Sequence, residues 1–236
     1  AVKRYFAANR EYLMRLVKPK DVQTWDKETK YWLFQDALAN DPEVPIAEYF
    51  VPPVERNSGG GYHFGEEISD VENPDELLGF YHTGYDYNVG RGNEDLGLPF
   101  WPIGKGEVVY SGFVNNGLGN ILIIRHRLPD GSEIYSRYAH LNDRYAKAGE
   151  VVGPGDLVGT IGRSGHHKYA HLHVDICFSA TYEMFMKDSP WYYPGGSKDA
   201  VERYFVDPLQ FINERKAEEK ETPELQERLS PEKNLL

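Results

Sequence analysis

Residues 170 to 178, AHLHVDICF, alternate strictly: Leu172, Val174, Ile176 and Phe178 are apolar, and His171, His173, Asp175 and Cys177 stand between them. A period of two places the apolar set on one face of a strand and cannot build one apolar face on a helix. The spacing therefore predicts a half-buried β-strand whose wetter face carries two imidazoles and a carboxylate. Those two histidines stand roughly 7 Å apart at Cα, near enough to converge on one ion or one substrate. Further short β-prone runs precede this one: GEVVYSGF (106–113), NILIIRH (120–126), SEIYSRYAHL (132–141) and DLVGTIG (156–162). Glycines separate them, and Pro129-Asp130-Gly131 is a hairpin signal, so the pattern predicts an antiparallel β domain.

The N-terminal pattern differs. From Arg4 to Val17 and from Thr24 to Leu38 apolar residues recur at helical spacing, and Asn40-Asp41-Pro42 supplies a stop. Tyr49 to Val54 reads as extended, and Asn57-Ser58-Gly59-Gly60-Gly61 as a flexible joint. The predicted organisation is a helical N-terminal extension over 1–58, a linker over 59–78, the main domain over 79–213 and a charged tail over 214–236. Within the main domain an aromatic loop (Trp191, Tyr192, Tyr193) follows the last strand, and a short helix lies near Leu209. The fold class is mainly β, α+β overall once the N-terminal helices are included.

Composition narrows the chemistry. The 236 residues carry a net charge of -11, which argues against a nucleic-acid groove, because phosphate binding needs a concentrated basic surface. The longest aliphatic run, Ile121 to Ile124, is far shorter than the roughly 20 residues that span a bilayer, so no membrane span is expected. Cys177 is the only cysteine, which excludes an internal disulfide. The absence of an initiator Met would suit a trimmed leader or a shortened chain.

The eight histidines differ in promise. His140 ends the run Ile134, Ser136, Tyr138 on one strand face and joins the 171/173 face if the two strands share a sheet. HTGYD (82–86) sets an imidazole and a carboxylate four apart. Gly84 between them favours a strand bending into a loop, and imidazole plus carboxylate is a plausible Zn²⁺ donor pair. His126, between two arginines, reads as a hydrogen-bonded structural residue. His166 and His167 lie in a glycine-rich loop and are read as surface groups at the edge of a cleft, and His63 receives no role. Cys177 lies roughly 13 Å along the strand from His173, too far to share its ion, and is expected to be a half-buried thiol. Asp175 is either a hydrogen-bond acceptor for a neighbouring imidazole or a solvent-facing carboxylate.

Taken in order, HTGYD as H-x-x-x-D, YAHL and HLH resemble the three linked motifs of the lysostaphin-type zinc metallopeptidases, peptidase family M23. GLPFWPIGKGEVVYSG, GLGNILIIRH, VVGPGDLVGTIGRSG and the closing VDPLQFI are similar to the family's scaffold segments. Val174-Asp175, Pro102 and Ala170 depart from its usual Phe-Glu, Ala and Pro, and none of these removes a ligand. The resemblance implies an antiparallel β-sheet groove domain with His82, Asp86 and His173 as Zn²⁺ ligands and His140 and His171 as catalytic residues beside the open position. It further implies a zinc-dependent endopeptidase that hydrolyses peptide bonds of bacterial peptidoglycan, in stem cross-links or the bridge, by a metal-activated water. An exported protein, periplasmic or at the cell surface, is the corresponding location.

Other readings are weaker. A non-catalytic relative that regulates other wall hydrolases usually lacks ligands, whereas all five positions are filled here. A lipoyl or biotinyl carrier would share VVGPGDLVGTIG but needs a lysine between methionines, and Met184-Phe185-Met186-Lys187 has the wrong order. A latent form, with the N-terminal extension over the groove and Asn57 as a fourth ligand, is a further arrangement to be tested.

Overall fold

Glycines and polar turns between β-branched runs cut this chain into short strands, and antiparallel pairing joins them into one seven-stranded sheet and two two-stranded ones. The computed structural model of the chain describes residues 44–216, apart from positions 71, 74, 116 and 166. The helices expected over 4–17 and 24–38, and the tail beyond 216, lie outside the described residues. Residues 44–54 run without regular structure, yet Ala47, Phe50 and Val54 are buried in the main core, and Ala47 N–H donates to the Arg127 carbonyl at 2.7 Å.

Glu67–Ser69 (β1) and Leu77–Tyr81 (β2) form an antiparallel hairpin within and just beyond the segment read as a linker. The chain then bends through His82 to Gly84 into Tyr85–Tyr87 (β3). Pro99–Phe100 (β4), Gly106–Val114 (β5), Gly119–Arg127 (β6), Glu133–Ala139 (β7), Val151–Val152 (β8) and Gly159–Thr160 (β9) follow. Leu172–Phe178 (β10) carries the HLH motif into a helical turn, Ser179–Thr181 (α1), continued by a π-helical turn over Tyr182–Met186. Lys198–Tyr204 (α2), Phe205–Val206 (β11) and Pro208–Glu214 (α3) complete the described chain. Ser197 caps α2 by accepting from the Ala200 amide, and Asp207 caps α3 ahead of Pro208, a start signal that the sequence carries openly.

The main sheet is antiparallel throughout, in the order β11-β10-β7-β6-β5-β8, with β3 also on β10. Pro129 to Gly131 turns β6 into β7, as expected. Strand β6 explains how the sheet is held: Leu122 and Ile124 enter one core with Phe50, Phe100, Tyr138, Val174 and Phe211. Ile121 and Ile123 enter a second core on the other face with Tyr135, Cys177, Tyr182, Met186 and Phe205. A strand buried on both faces shows a continuous apolar run, and ILII is one.

Strand β10 differs from its expected half-burial. His173 is 2% exposed and Asp175 and Cys177 are 0% exposed, so the polar row lies in the interior. The helical turns and the loop after Phe178 supply the cover, with Tyr182 and Met186 packed beside Cys177, whose thiol donates to Met186 Sδ at 3.5 Å. Polar groups are tolerated there only because each finds a charged or hydrogen-bonding partner.

Candidate metal centre

His173 sits where three strands meet. Across β10 it pairs with Asp86 of β3 on one side and Ala139 of β7 on the other, and His140 follows Ala139 directly. Gly84 makes the approach of β3 possible, because a Cβ there would collide with the Val174 backbone carbonyl. The His82 amide donates to the Glu66 carbonyl at 2.8 Å and the Asp86 amide to the Tyr62 carbonyl at 3.0 Å, which fixes both ends of HTGYD. The motif is the bend between β2 and β3, as its glycine suggests.

Three donor atoms form a nearly equilateral triangle. His82 Nε2 lies 3.0 Å from Asp86 Oδ1, His173 Nδ1 lies 2.9 Å from His82 Nε2, and His173 Nδ1 lies 3.1 Å from Asp86 Oδ1. One face of a tetrahedron with metal-ligand bonds of about 2.0 to 2.1 Å has edges of roughly 3.3 Å, so the triangle fits a Zn²⁺-sized ion. The tautomers agree. His82 Nδ1 donates to the Gly84 carbonyl at 2.9 Å, and His173 Nε2 donates to Asp175 Oδ2 at 3.2 Å, which leaves lone pairs on both nitrogens of the triangle. Three buried acceptors this close require a positive charge between them.

Electrostatics tell the same story. Burial opposes a charge on His173, but Asp175 and Asp86 outweigh it and push the imidazole up to about 9. Burial likewise works to raise the Asp86 carboxyl, yet His82, His171 and His173 hold it well below the usual carboxylate range. The charges around the triangle thus favour a cation at its centre, which in the absence of a metal is the proton of His173.

Asp175 is the orienting acceptor, not a solvent-facing group. Its Oδ2 also accepts from Thr83 Oγ1 at 3.0 Å and from Arg137 Nε at 3.1 Å, and it pairs with Arg137 Nη2. Arg137 Nη1 donates to the carbonyls of Pro190 and Tyr192, both at 2.9 Å. Burial acts to raise the Asp175 carboxyl, and Arg137 together with His173 lowers it. Arg137 lies directly opposite Asp175 on β7, but only the register of β7 on β10 reveals that.

His140 and His171 flank the triangle. Their ring centroids are 4.7 Å apart, and His140 is 5.7 Å from His173. His140 has φ 63, the left-handed region that costs a non-glycine residue roughly 1 to 2 kcal/mol. Its amide donates to the Leu118 carbonyl at 2.9 Å, and Nδ1 donates to the Ser164 carbonyl at 3.2 Å. Burial, then the neighbouring imidazoles of His171, His167 and His173, push His140 well below the usual histidine range, so it is neutral at neutral pH. His171 Nδ1 donates to the Tyr169 carbonyl at 3.1 Å, and its Nε2 lies 3.7 Å from Asp86 Oδ2.

All five histidine and aspartate positions open onto one groove of about 1480 Å³, bordered by Asn57 to Tyr62, Leu78, Phe80 and Tyr193. From the aromatic loop it is Tyr193 that lines the groove, its hydroxyl donating to the Tyr81 carbonyl at 2.9 Å, while Tyr192 stacks on Phe185 at 4.4 Å. Asn57 borders the groove but is engaged elsewhere: its Nδ2 donates to Tyr85 Oη at 3.0 Å and its Oδ1 accepts from the Gly59 amide at 3.1 Å. His126 is structural, bonded to the Lys105 carbonyl at 2.9 Å and Ser136 Oγ at 2.7 Å, with burial pushing it down to about 4. His167 lines the groove as well, 3.7 Å from His140 between ring centroids, a closeness that a loop of unknown path conceals in the sequence.

Comparisons with known proteins place the same segment. The family model described as peptidase family M23 matches residues 80–182. The peptidoglycan DD-endopeptidase ShyC of Vibrio cholerae is 35% identical over 95 residues, which are 40% of this chain and only 20% of that protein. The lipoprotein NlpD of Yersinia enterocolitica is 31% identical over 80 residues, 34% of this chain and 77% of that protein. Among solved structures, the catalytic domain of the antimicrobial peptidase lysostaphin from Staphylococcus simulans aligns with a TM-score of 0.45 at 23% identity, over 65% of this chain and 90% of that one.

Proposed function

The chain belongs to peptidase family M23, and from that premise we propose that it is a zinc-dependent endopeptidase acting on peptide bonds of bacterial peptidoglycan. His82, Asp86 and His173 hold the ion, and His140 and His171 act on the substrate. The observation that carries this reading is the triangle of three buried acceptors with edges of 2.9 to 3.1 Å. Bound there, zinc supplies a Lewis acid for the scissile carbonyl and lowers the pKa of a water to about 7.

The protein's own groups do the rest. Asp175 keeps His173 in the tautomer that leaves Nδ1 free. With its Nδ1 proton on the Tyr169 carbonyl, His171 offers Nε2 as the proton acceptor. His171, whose Nε2 lies 3.7 Å from Asp86 Oδ2 at the edge of the triangle, is the one we assign to take a proton from water and return it to the leaving amine. His140 stays neutral and completes the polar floor of the groove. The peptidase domain is built on residues 79–213, with Ala47, Phe50 and Val54 packed into its core, and a peptidoglycan substrate would call for a location outside the cytoplasm, in the periplasm or at the cell surface.

The DD-endopeptidase relative favours the cross-link between stem peptides as the bond cut. A metal-free regulator of other hydrolases would have no use for three converging acceptors. Purified walls incubated with wild type and with His173→Ala separate the two readings. The peptidase loses both bound zinc and peptide release in the variant, as read by metal counting and mass spectrometry of released fragments. Undiminished wall cleavage by His173→Ala would refute the proposal.

A further inference from the structure

Besides the triangle, a second set of imidazoles converges in the groove. One ring nitrogen from each of His140, His167 and His171 lies within 4.8 Å of the other two. Ring centroids are 3.7 Å apart for His140 and His167, 4.7 Å for His140 and His171, and 5.1 Å for His167 and His171. Each ring also has one nitrogen committed to a backbone carbonyl. His140 Nδ1 donates to Ser164 at 3.2 Å, His167 Nε2 to Gly117 at 2.8 Å and His171 Nδ1 to Tyr169 at 3.1 Å.

A carbonyl can only accept, so those nitrogens carry the protons. His140 Nε2, His167 Nδ1 and His171 Nε2 are left as lone-pair donors, and metal-binding imidazoles are oriented in just this way by a carbonyl on the opposite nitrogen. Oxygen-seeking Mg²⁺ and Ca²⁺ do not suit three imidazoles, whereas Zn²⁺ does. Asp86 adds negative charge beside the set, with Oδ2 3.7 Å from His171 Nε2, while its Oδ1 belongs to the first triangle.

We propose that His140, His167 and His171 form a second zinc site, weaker than the first, whose occupation shuts the groove down. It is weaker because it has no carboxylate ligand of its own, because its donors are spread more widely than the 2.9 to 3.1 Å triangle, and because a dication next door repels another. A metal there consumes the Nε2 lone pairs of His140 and His171, the groups assigned above to the substrate. The site stands on ring geometry alone, and only the loss of turnover rests on the peptidase reading.

Equilibrium dialysis of the full chain against graded zinc chloride, with bound metal counted by mass spectrometry, tests it. Wild type should take up a tight equivalent and a weaker one. His173→Ala should lose the tight equivalent and keep the weaker. His167→Ala and the more conservative His167→Gln should keep the tight equivalent and weaken the other at least about tenfold, as expected when a supporting contact to a metal is lost. His63→Ala, outside both sets, should leave both unchanged, and circular dichroism reports whether each variant is folded. A wild type that binds a single equivalent, or a weaker equivalent indifferent to both His167 variants, overturns the site. Should the zinc counts follow His167 while excess zinc leaves wall cleavage undiminished, the inhibitory role is overturned and the site is retained. Absence of wall cleavage at every zinc level would instead strike the peptidase reading.

Discussion

The proposed zinc and a proton compete for one atom, His173 Nδ1, and that competition fixes how metal affinity must vary with pH. Burial disfavours the charged imidazole, yet Asp175 and Asp86 push it up to about 9. Zinc needs the free lone pair, so an ion arriving below that value displaces one proton. At pH 7 the displacement spans about two pH units, or ~2.7 kcal/mol at 1.36 kcal/mol per unit, and lowers the apparent affinity roughly 100-fold relative to the deprotonated site. Between pH 7 and 8.5 the Kd should therefore tighten by about tenfold per pH unit. Isothermal titration calorimetry at pH 7.5, in two buffers of different ionisation enthalpy, should register the release of close to one proton per tightly bound zinc. The metal-free protein responds with the opposite sign. Its folded-state value lies above that of the unfolded chain, about 6.5, so the stabilisation, roughly 3 kcal/mol, is fully present below pH 6.5 and is lost as pH rises through about 9. Thermal unfolding should show the metal-free form weakening across that window. A zinc affinity flat from pH 7 to 8.5, with no proton released, would refute the reasoning.

Other outcomes follow from the buried network and the strained histidine. Arg137→Met takes the guanidinium away from the buried Asp175 carboxylate, leaving it only Thr83 and His173, and should cost about 3 kcal/mol in urea unfolding, where a change within about 1 kcal/mol would show that the pair is dispensable. Asp175→Asn retains an acceptor oxygen but loses the charge, so zinc affinity should drop about 10- to 100-fold, measured against a competing chelator; unchanged affinity would count against its orienting role. His140→Gly should unfold at a higher temperature than His140→Ala, by an amount equivalent to about 1 kcal/mol, because glycine accepts the φ of 63 without strain. Equal midpoints would remove the strain argument.

The period-two alternation in AHLHVDICF, the glycine inside HTGYD and the turn at Pro129 to Gly131 were legible in the sequence because each acts within a few residues. The convergence of His82, Asp86 and His173 was legible only through the linked motifs, since it spans 91 positions between His82 and His173. What escaped depends on register and cover. Arg137 reads as one more polar residue in SRYAHL until β7 is set against β10, where it stands opposite Asp175. The alternation in β10 predicts a polar side facing solvent, because nothing local announces that Tyr182, Met186 and Phe205 fold over it. Residues 49–54 read only as an extended segment, with nothing local to say that Phe50 enters the core. His167 reads in the sequence as a surface group at the edge of a cleft, and only the path of its loop brings it against His140.

Arg137 grips Asp175 with one part of its guanidinium and the carbonyls of Pro190 and Tyr192 with another. The loop that borders the groove and the carboxylate that accepts from His173 are therefore moored to a single side chain. Remodelling that loop is free to alter its side chains, whereas insertions between 190 and 192 would tug on Asp175 and, through it, on His173.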